Sequence, residues 1–163
     1  MSRKNYNVVL NSTFCTSDTS TNVVADKNYY IDWSATLPDK NFKLTFTFMS
    51  ETNTITQMAT LPIITIDFLN QGNIDICQPT YQATSSNILG LIYPTILDTT
   101  TDLAYFRAEK NFNNSIYLSR PRQNNFNVQI KTNGSPSVLW TDEAATPLSM
   151  AQYVLILSFE ECE

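Results

Sequence analysis

Residues 42–48 read Phe-Lys-Leu-Thr-Phe-Thr-Phe, so apolar side chains alternate with polar ones along the whole segment. A period of two is the pattern of a β-strand with one buried face. Residues 126–130 repeat this alternation, whereas residues 152–159, Gln-Tyr-Val-Leu-Ile-Leu-Ser-Phe, are almost entirely apolar. We therefore predict that this last segment lies in the middle of a sheet, with one face on the core and the other on a partner such as a second subunit.

Shorter segments with the same character occur along the chain, separated by polar turns. Residues 63–68 and 74–77 are spaced like the two arms of a hairpin, and the best helical candidate is 98–109. Further strands are predicted at 29–33, 88–93, 103–107, 115–118 and 138–140, the last after an Asn133-Gly134 turn.

The composition favours an all-β fold. The chain has 21 Thr, 13 Ile and 7 Val, against 9 Ala, 6 Glu and 6 Lys. β-branched residues fit strands, while Ala, Glu and Lys favour helices. With 163 residues the chain suits one domain, residues 1–163, in which 1–24 are an arm or an irregular N-terminal strand region. An antiparallel β-sandwich or a small barrel is expected.

Charge and residue inventory exclude several classes of function. Only 15% of residues are charged and the net charge is −5, which argues against a basic surface for nucleic acid and against an electrostatic membrane anchor. No apolar run is long enough for a membrane span or a signal peptide, so cytosolic synthesis is expected. The chain has no His and only three Gly and three Cys. We expect no catalysis, no metal and no cofactor.

Two alternatives stay open on the residues alone. Exposed aromatic side chains could stack on sugars while Asn supplies hydrogen bonds, which would make the chain a carbohydrate- or receptor-binding module, although core packing explains the aromatics equally well. Asp67 and Asp75 could face each other across the predicted hairpin as a glycosidase pair, or both face solvent. The aromatic candidates are Tyr29, Tyr30, Trp33, Tyr81 and Trp140.

A basic loop is the best candidate for binding a protein partner. Pro121 breaks the chain between Arg120 and Arg122, which would place two guanidinium groups where they can grip carboxylates of a partner. A solvated turn is the competing interpretation. In the apolar segment near the C-terminus, we expect Tyr153, Leu155 and Leu157 to contact a partner as well.

The two ends of the chain carry opposite charge. Residues 1–4 include Arg3 and Lys4, whereas Glu160, Glu161 and Glu163 lie at the other end. We expect the ends to attract one another in a closed or stacked assembly.

The C-terminal part contains Ser-Ile-Tyr-Leu-Ser-Arg-Pro at 115–121, Asn-Phe-Asn-Val-Gln-Ile at 125–130, the Asn133-Gly134 turn and Tyr-Val-Leu-Ile-Leu-Ser-Phe-Glu at 153–160. In these segments the chain shows a resemblance to small capsid-associated proteins of large icosahedral DNA viruses. It implies a single jelly roll of about eight strands that acts without catalysis as a minor capsid, penton or decorating protein. The implied location is the virion, assembled in the host cytoplasm. The implied partners are the major capsid protein and other minor capsid proteins, in an oligomeric shell. Because no basic arm is present, no nucleic-acid partner is expected.

Overall fold

The computed structural model describes residues 3–14, 17–18, 26–52, 62–69, 76–77, 82–83, 88–98, 103–108, 116–132 and 150–162. Within them the chain is almost entirely antiparallel β-structure, with one 3₁₀ turn, Ser12–Phe14, and one short helix, α1 (Trp33–Thr36). The strands are β1 (Asn5–Asn11), β2 (Ser17–Asp18), β3 (Asp26–Tyr30), β4 (Asn41–Thr52), β5 (Pro62–Ile66), β6 (Ile76–Cys77), β7 (Gln82–Ala83), β8 (Ile88–Leu91), β9 (Tyr93–Asp98), β10 (Leu103–Ala108), β11 (Ile116–Ser119), β12 (Asn125–Thr132) and β13 (Met150–Glu161).

The strands form a sandwich with jelly-roll topology. The first sheet has the order β1-β13-β4-β10-β9, and β11 pairs with β4 on the same edge as β10. The second sheet has the order β2-β3-β12-β5-β8. β10 and β11 pair with different parts of the same edge of β4, so together they fill one strand position. β2 and β9 are additional strands at the ends of the two sheets. Without them, each sheet has four strand positions. Their strand order is that of a jelly roll, which confirms the predicted fold class.

The core lies between the two sheets and is rich in aromatic rings. Phe42, Phe46 and Phe48 of β4 are fully buried, as the alternation of residues 42–48 predicts. Trp33 is also buried, with its ring centroid 5.3 to 5.7 Å from those of Phe68, Phe126 and Phe159. Edge-to-face and offset contacts at such distances stabilise a core beyond simple burial of area.

Strand β13 occupies the central position predicted for it, between β1 and β4. The side chains predicted to meet a partner, however, point inward. Tyr153, Leu155 and Leu157 are fully buried against the second sheet, while Val154 and Ile156 on the opposite face are half-buried. Because the period of a strand is two, Val154 and Ile156 are on the outer face of β13, and the three residues predicted to contact a partner are core residues.

Some local predictions are wrong for identifiable reasons. The strand predicted at 29–33 ends at Tyr30, because the carboxylate of Asp32 accepts hydrogen bonds from the backbone N–H groups of Ser34 (3.0 Å) and Ala35 (3.3 Å) and so caps α1. In the described part of 98–109 the helical candidate is wrong and the strand predicted at 103–107 is confirmed, because β10 pairs there with β9 and with β4.

The predicted hairpin of residues 63–68 and 74–77 is also wrong. Both edges of β5 are occupied by other strands, β12 and β8, while β6 pairs with β7. Within 1–24, residues 5–11 form a regular edge strand paired with β13. The Asn133-Gly134 turn and the strand predicted at 138–140 lie outside the described residues. No helix in the described ranges is long and apolar enough to cross a bilayer.

Candidate functional site

The loop after β11, residues 120–124, is fixed at its start by Arg120. The Arg120 N–H donates to the Lys40 carbonyl (3.0 Å), and its guanidinium donates to the Leu37 carbonyl (3.3 Å). The same guanidinium lies 3.6 Å from the Asp39 carboxylate, and only 25% of the side chain is exposed. Arg120 therefore ties the loop to the segment between α1 and β4.

The end of the same loop is held by hydrogen bonds from Trp33 and Ile31. The indole N–H of Trp33 donates to the Gln123 carbonyl at 3.0 Å, and the Ile31 N–H donates to the Asn124 carbonyl at 2.9 Å. Pro121 is buried between these attachments. A loop held at both ends presents its remaining side chains in a defined place.

Arg122 is the arginine of this loop that faces solvent. Its side chain is exposed, and it forms no ion pair with any residue that the structure describes. The two arginines predicted to act together thus have different roles. Arg120 is a structural contact, and Arg122 is available to a partner.

A partly open pocket of about 360 Å³ lies beside this loop. One wall is formed by residues 116–123, from β11 and the loop, and the other by Phe68 and Leu69 after β5. Phe68 and Leu69 are buried, while Tyr117 is 62% exposed at the rim. The pocket thus has an apolar wall, formed by Phe68 and Leu69, and a cationic end at Arg122.

A second surface lies on the outer face of the first sheet. Val9 pairs with Ile156, and Val154 pairs with Met49, so the four apolar side chains are neighbours on the face opposite the core. Val9 is 61% and Met49 46% exposed, and the other two are half-buried. We call these four residues the outer strip.

The oppositely charged ends meet within one chain. Arg3 lies 3.2 Å from the Glu160 carboxylate. The Glu161 carboxylate accepts hydrogen bonds from the Lys40 ammonium (2.6 Å) and the Tyr6 hydroxyl (2.8 Å). The bond from Lys40, followed by that from Tyr6, lowers the pKa of Glu161, and the bonds to Glu161 raise the pKa of both donors. The charged ends are therefore paired within one chain, beside the backbone pairing of β1 with β13.

The described residues do not bring together the side chains of the two alternative functions. Tyr29 and Trp33 are buried, Tyr30 is exposed, and Tyr81 and Trp140 lie outside the described residues. Asp67 is exposed and accepts a hydrogen bond from the Asn127 N–H (3.0 Å); Asp75 lies outside the described residues. No group of three potential metal-binding side chains occurs in the described part of the chain.

No protein family, curated protein or solved structure matches this chain.

The outer strip was missed by sequence reasoning, although the sequence held a signal for it. Val9 follows Val8, and Met49 occupies a polar position in the alternation of residues 42–48 when it is continued. An apolar residue on the polar side of an otherwise alternating strand marks a face that is not simply solvated. Because β1 and β4 both pair with β13, Val9 and Met49 lie on the same face of one sheet.

Proposed function

We propose that this chain is a structural minor capsid, penton or decorating protein of a large icosahedral DNA virus. It binds the major capsid protein and other minor capsid proteins without catalysing a reaction. The proposal rests on the jelly-roll topology together with the resemblance of residues 115–160 to capsid-associated proteins.

The outer strip is the observation that carries the proposal. An exposed apolar cluster on the face of a sheet is a kind of surface that assemblies bury. On the side of β10, Arg107 is opposite Met49 in the strand register, whereas the neighbours Asn7, Asn11 and Thr47 are polar and uncharged. Such amide and hydroxyl groups cost less to desolvate than charged ones, which favours burial against a neighbouring shell protein.

The first test is the composition of purified particles. Mass spectrometry of extensively washed virions should find this chain at a fixed ratio to the major capsid protein. Its absence from particles, or normal particle yield when its gene is deleted, would overturn the proposal. A glycan array on the purified chain provides the counter-test, because a monomer that binds sugars would support the carbohydrate-binding alternative.

The second test compares two substitutions on the same face of β1. Val9→Glu places a charge in the outer strip, whereas Asn7→Glu places one two residues away on the same face of β1, opposite Ser158. Both side chains are exposed, so both variants should unfold at nearly the wild-type temperature. Incorporation into particles should fall most for Val9→Glu, because Asn7 lies at the border of the outer strip and Asn7→Glu leaves the apolar side chains of the strip in place.

A further inference from the structure

The backbone of β11 presents hydrogen-bonding groups on its outer edge. β11 pairs with β4 in the register Leu118 to Phe42, and the Arg120 N–H bond to the Lys40 carbonyl continues that register. In an antiparallel ladder, bonded pairs alternate with non-bonded pairs. The bonds to β4 therefore come from Ile116, Leu118 and Arg120, which turns the N–H and carbonyl groups of Tyr117 and Ser119 away from β4.

No described strand pairs with this outward edge. An unpaired strand edge is a template for an incoming strand, and proteins recognise extended peptides in this way. The Ser119 side chain leaves the edge open, since its hydroxyl bonds back to the Asn41 side chain at 2.9 Å.

The pocket determines which side chains such a strand would carry. Its lining includes residues of β11, with Phe68 and Leu69 as the other wall, and no described residue of β4, which places it on the side of β11 away from β4. In an antiparallel pair, directly opposed residues point to the same face, so the residue opposite the inward-facing Leu118 would enter the pocket. An aliphatic side chain would pack against the apolar wall formed by Phe68 and Leu69.

The charge at the end of the pocket determines the rest of the segment. Arg122 is exposed, forms no ion pair within the described residues, and follows β11 in the chain. An antiparallel strand would therefore meet Arg122 with residues that precede its aliphatic residue. A carboxylate there would gain a charge-assisted bond.

We propose that the outer edge of β11 binds an extended acidic segment of a partner protein as an added antiparallel strand, with an aliphatic side chain in the pocket and a preceding carboxylate on Arg122. The identity of that partner as a neighbouring shell protein rests on the proposed function. The proposed mode of binding, an added antiparallel strand, does not depend on that function.

The test uses the full purified chain and the peptide Glu-Thr-Glu-Thr-Leu-Thr-Val, which carries fluorescein on its N-terminal amino group and is amidated at its C-terminus. We expect saturable binding by fluorescence anisotropy that weakens as salt is added. Arg122→Glu should weaken binding about tenfold or more, since it removes a charge-assisted bond and adds repulsion. Lys131→Glu, the same change of charge on the other sheet, is the matched control and should leave binding within about twofold.

Methylated peptides test the added strand directly. With leucine opposite Leu118, the last two threonines would exchange backbone bonds with Tyr117 and Ser119, so N-methylation of those threonines should abolish binding. N-methylation of the second glutamate and the leucine, whose N–H groups would face away, should be tolerated. No binding, equal binding of both methylated peptides, or no effect of Arg122→Glu would overturn the proposal. Absence of the chain from virions would instead overturn the capsid role and leave a positive peptide result standing.

Discussion

The hydroxyl of Tyr29 donates a 3.0 Å hydrogen bond to the hydroxyl of Tyr153 across the interior of the sandwich. Tyr29 belongs to β3 in the second sheet and Tyr153 to β13 in the first, and both are buried. A polar contact between two sheets fixes their relative position in a way that apolar packing alone does not, because a hydrogen bond is directional.

Replacing either tyrosine with phenylalanine should destabilise the protein by about 1 kcal/mol, the typical contribution of a buried hydrogen bond. The rings stay in place, with Tyr29 on Phe126 and Tyr153 on Phe48, so the substitutions report on the hydroxyl groups. Urea unfolding of both single variants and the double variant should give a double loss smaller than the sum of the single losses. Strictly additive losses would show that the two hydroxyls are not coupled.

The faces of β13 give a second prediction. Leu155→Ala should lower the free energy of unfolding by about 2 to 5 kcal/mol, because Leu155 is fully buried and its truncation leaves a cavity. Ile156→Ala, at the next position on the half-buried outer face, should cost less than half as much. The comparison is made by urea unfolding of the isolated chain. Equal losses, or a larger loss at Ile156, would contradict the assignment of faces.

Residues 152–159 show how far sequence reasoning reaches in this chain. The near absence of polar residues correctly placed β13 in the middle of a sheet. The same feature does not predict which side faces the core. A strand that is apolar on both faces has no alternation of apolar and polar residues that would indicate its orientation. The orientation is set by pairing with β4, whose Phe42, Phe46 and Phe48 point inward on their own alternation.

Long-range pairing explains two further differences between expectation and structure. Residues 63–68 suggested a local hairpin, yet the bonds of β5 go to β12, more than sixty residues away, as in Ile64 opposite Ile130. In the sequence alone, nothing distinguishes the role of Arg120 from that of Arg122. They differ only because β11 pairs with β4 and so brings the Leu37 carbonyl to Arg120.

The Glu161 cluster predicts a stability that depends on pH. The pKa of Glu161 is lowered in the folded state by its bond from Lys40, so its contribution is present above the ordinary carboxyl pKa and is lost as the pH falls through the lowered value. The pKa values of Lys40 and Tyr6 are raised by Glu161, so their contribution is lost as the pH rises through those higher values.

Glu161→Gln should therefore destabilise the chain at neutral pH, and its difference from wild type should shrink in acid. Urea unfolding at a series of pH values measures that difference, with Lys131→Gln on the other sheet as the control. Because the cluster is solvent-accessible, the effect should also decrease with added salt. A difference that does not change between neutral and acidic pH would contradict the assigned bonds.

The two arginines of the loop give the last prediction, since one is held by the fold and the other is not. Arg120→Ala removes a bond to the Leu37 carbonyl and should destabilise the chain by about 1 kcal/mol. Arg122→Ala removes an exposed side chain and should change stability by no more than about 0.5 kcal/mol. The order should reverse for partner binding, because Arg122 is the group free to meet a carboxylate. If Arg122→Ala proves the more destabilising of the two in thermal unfolding, the division between structural and binding arginine is wrong.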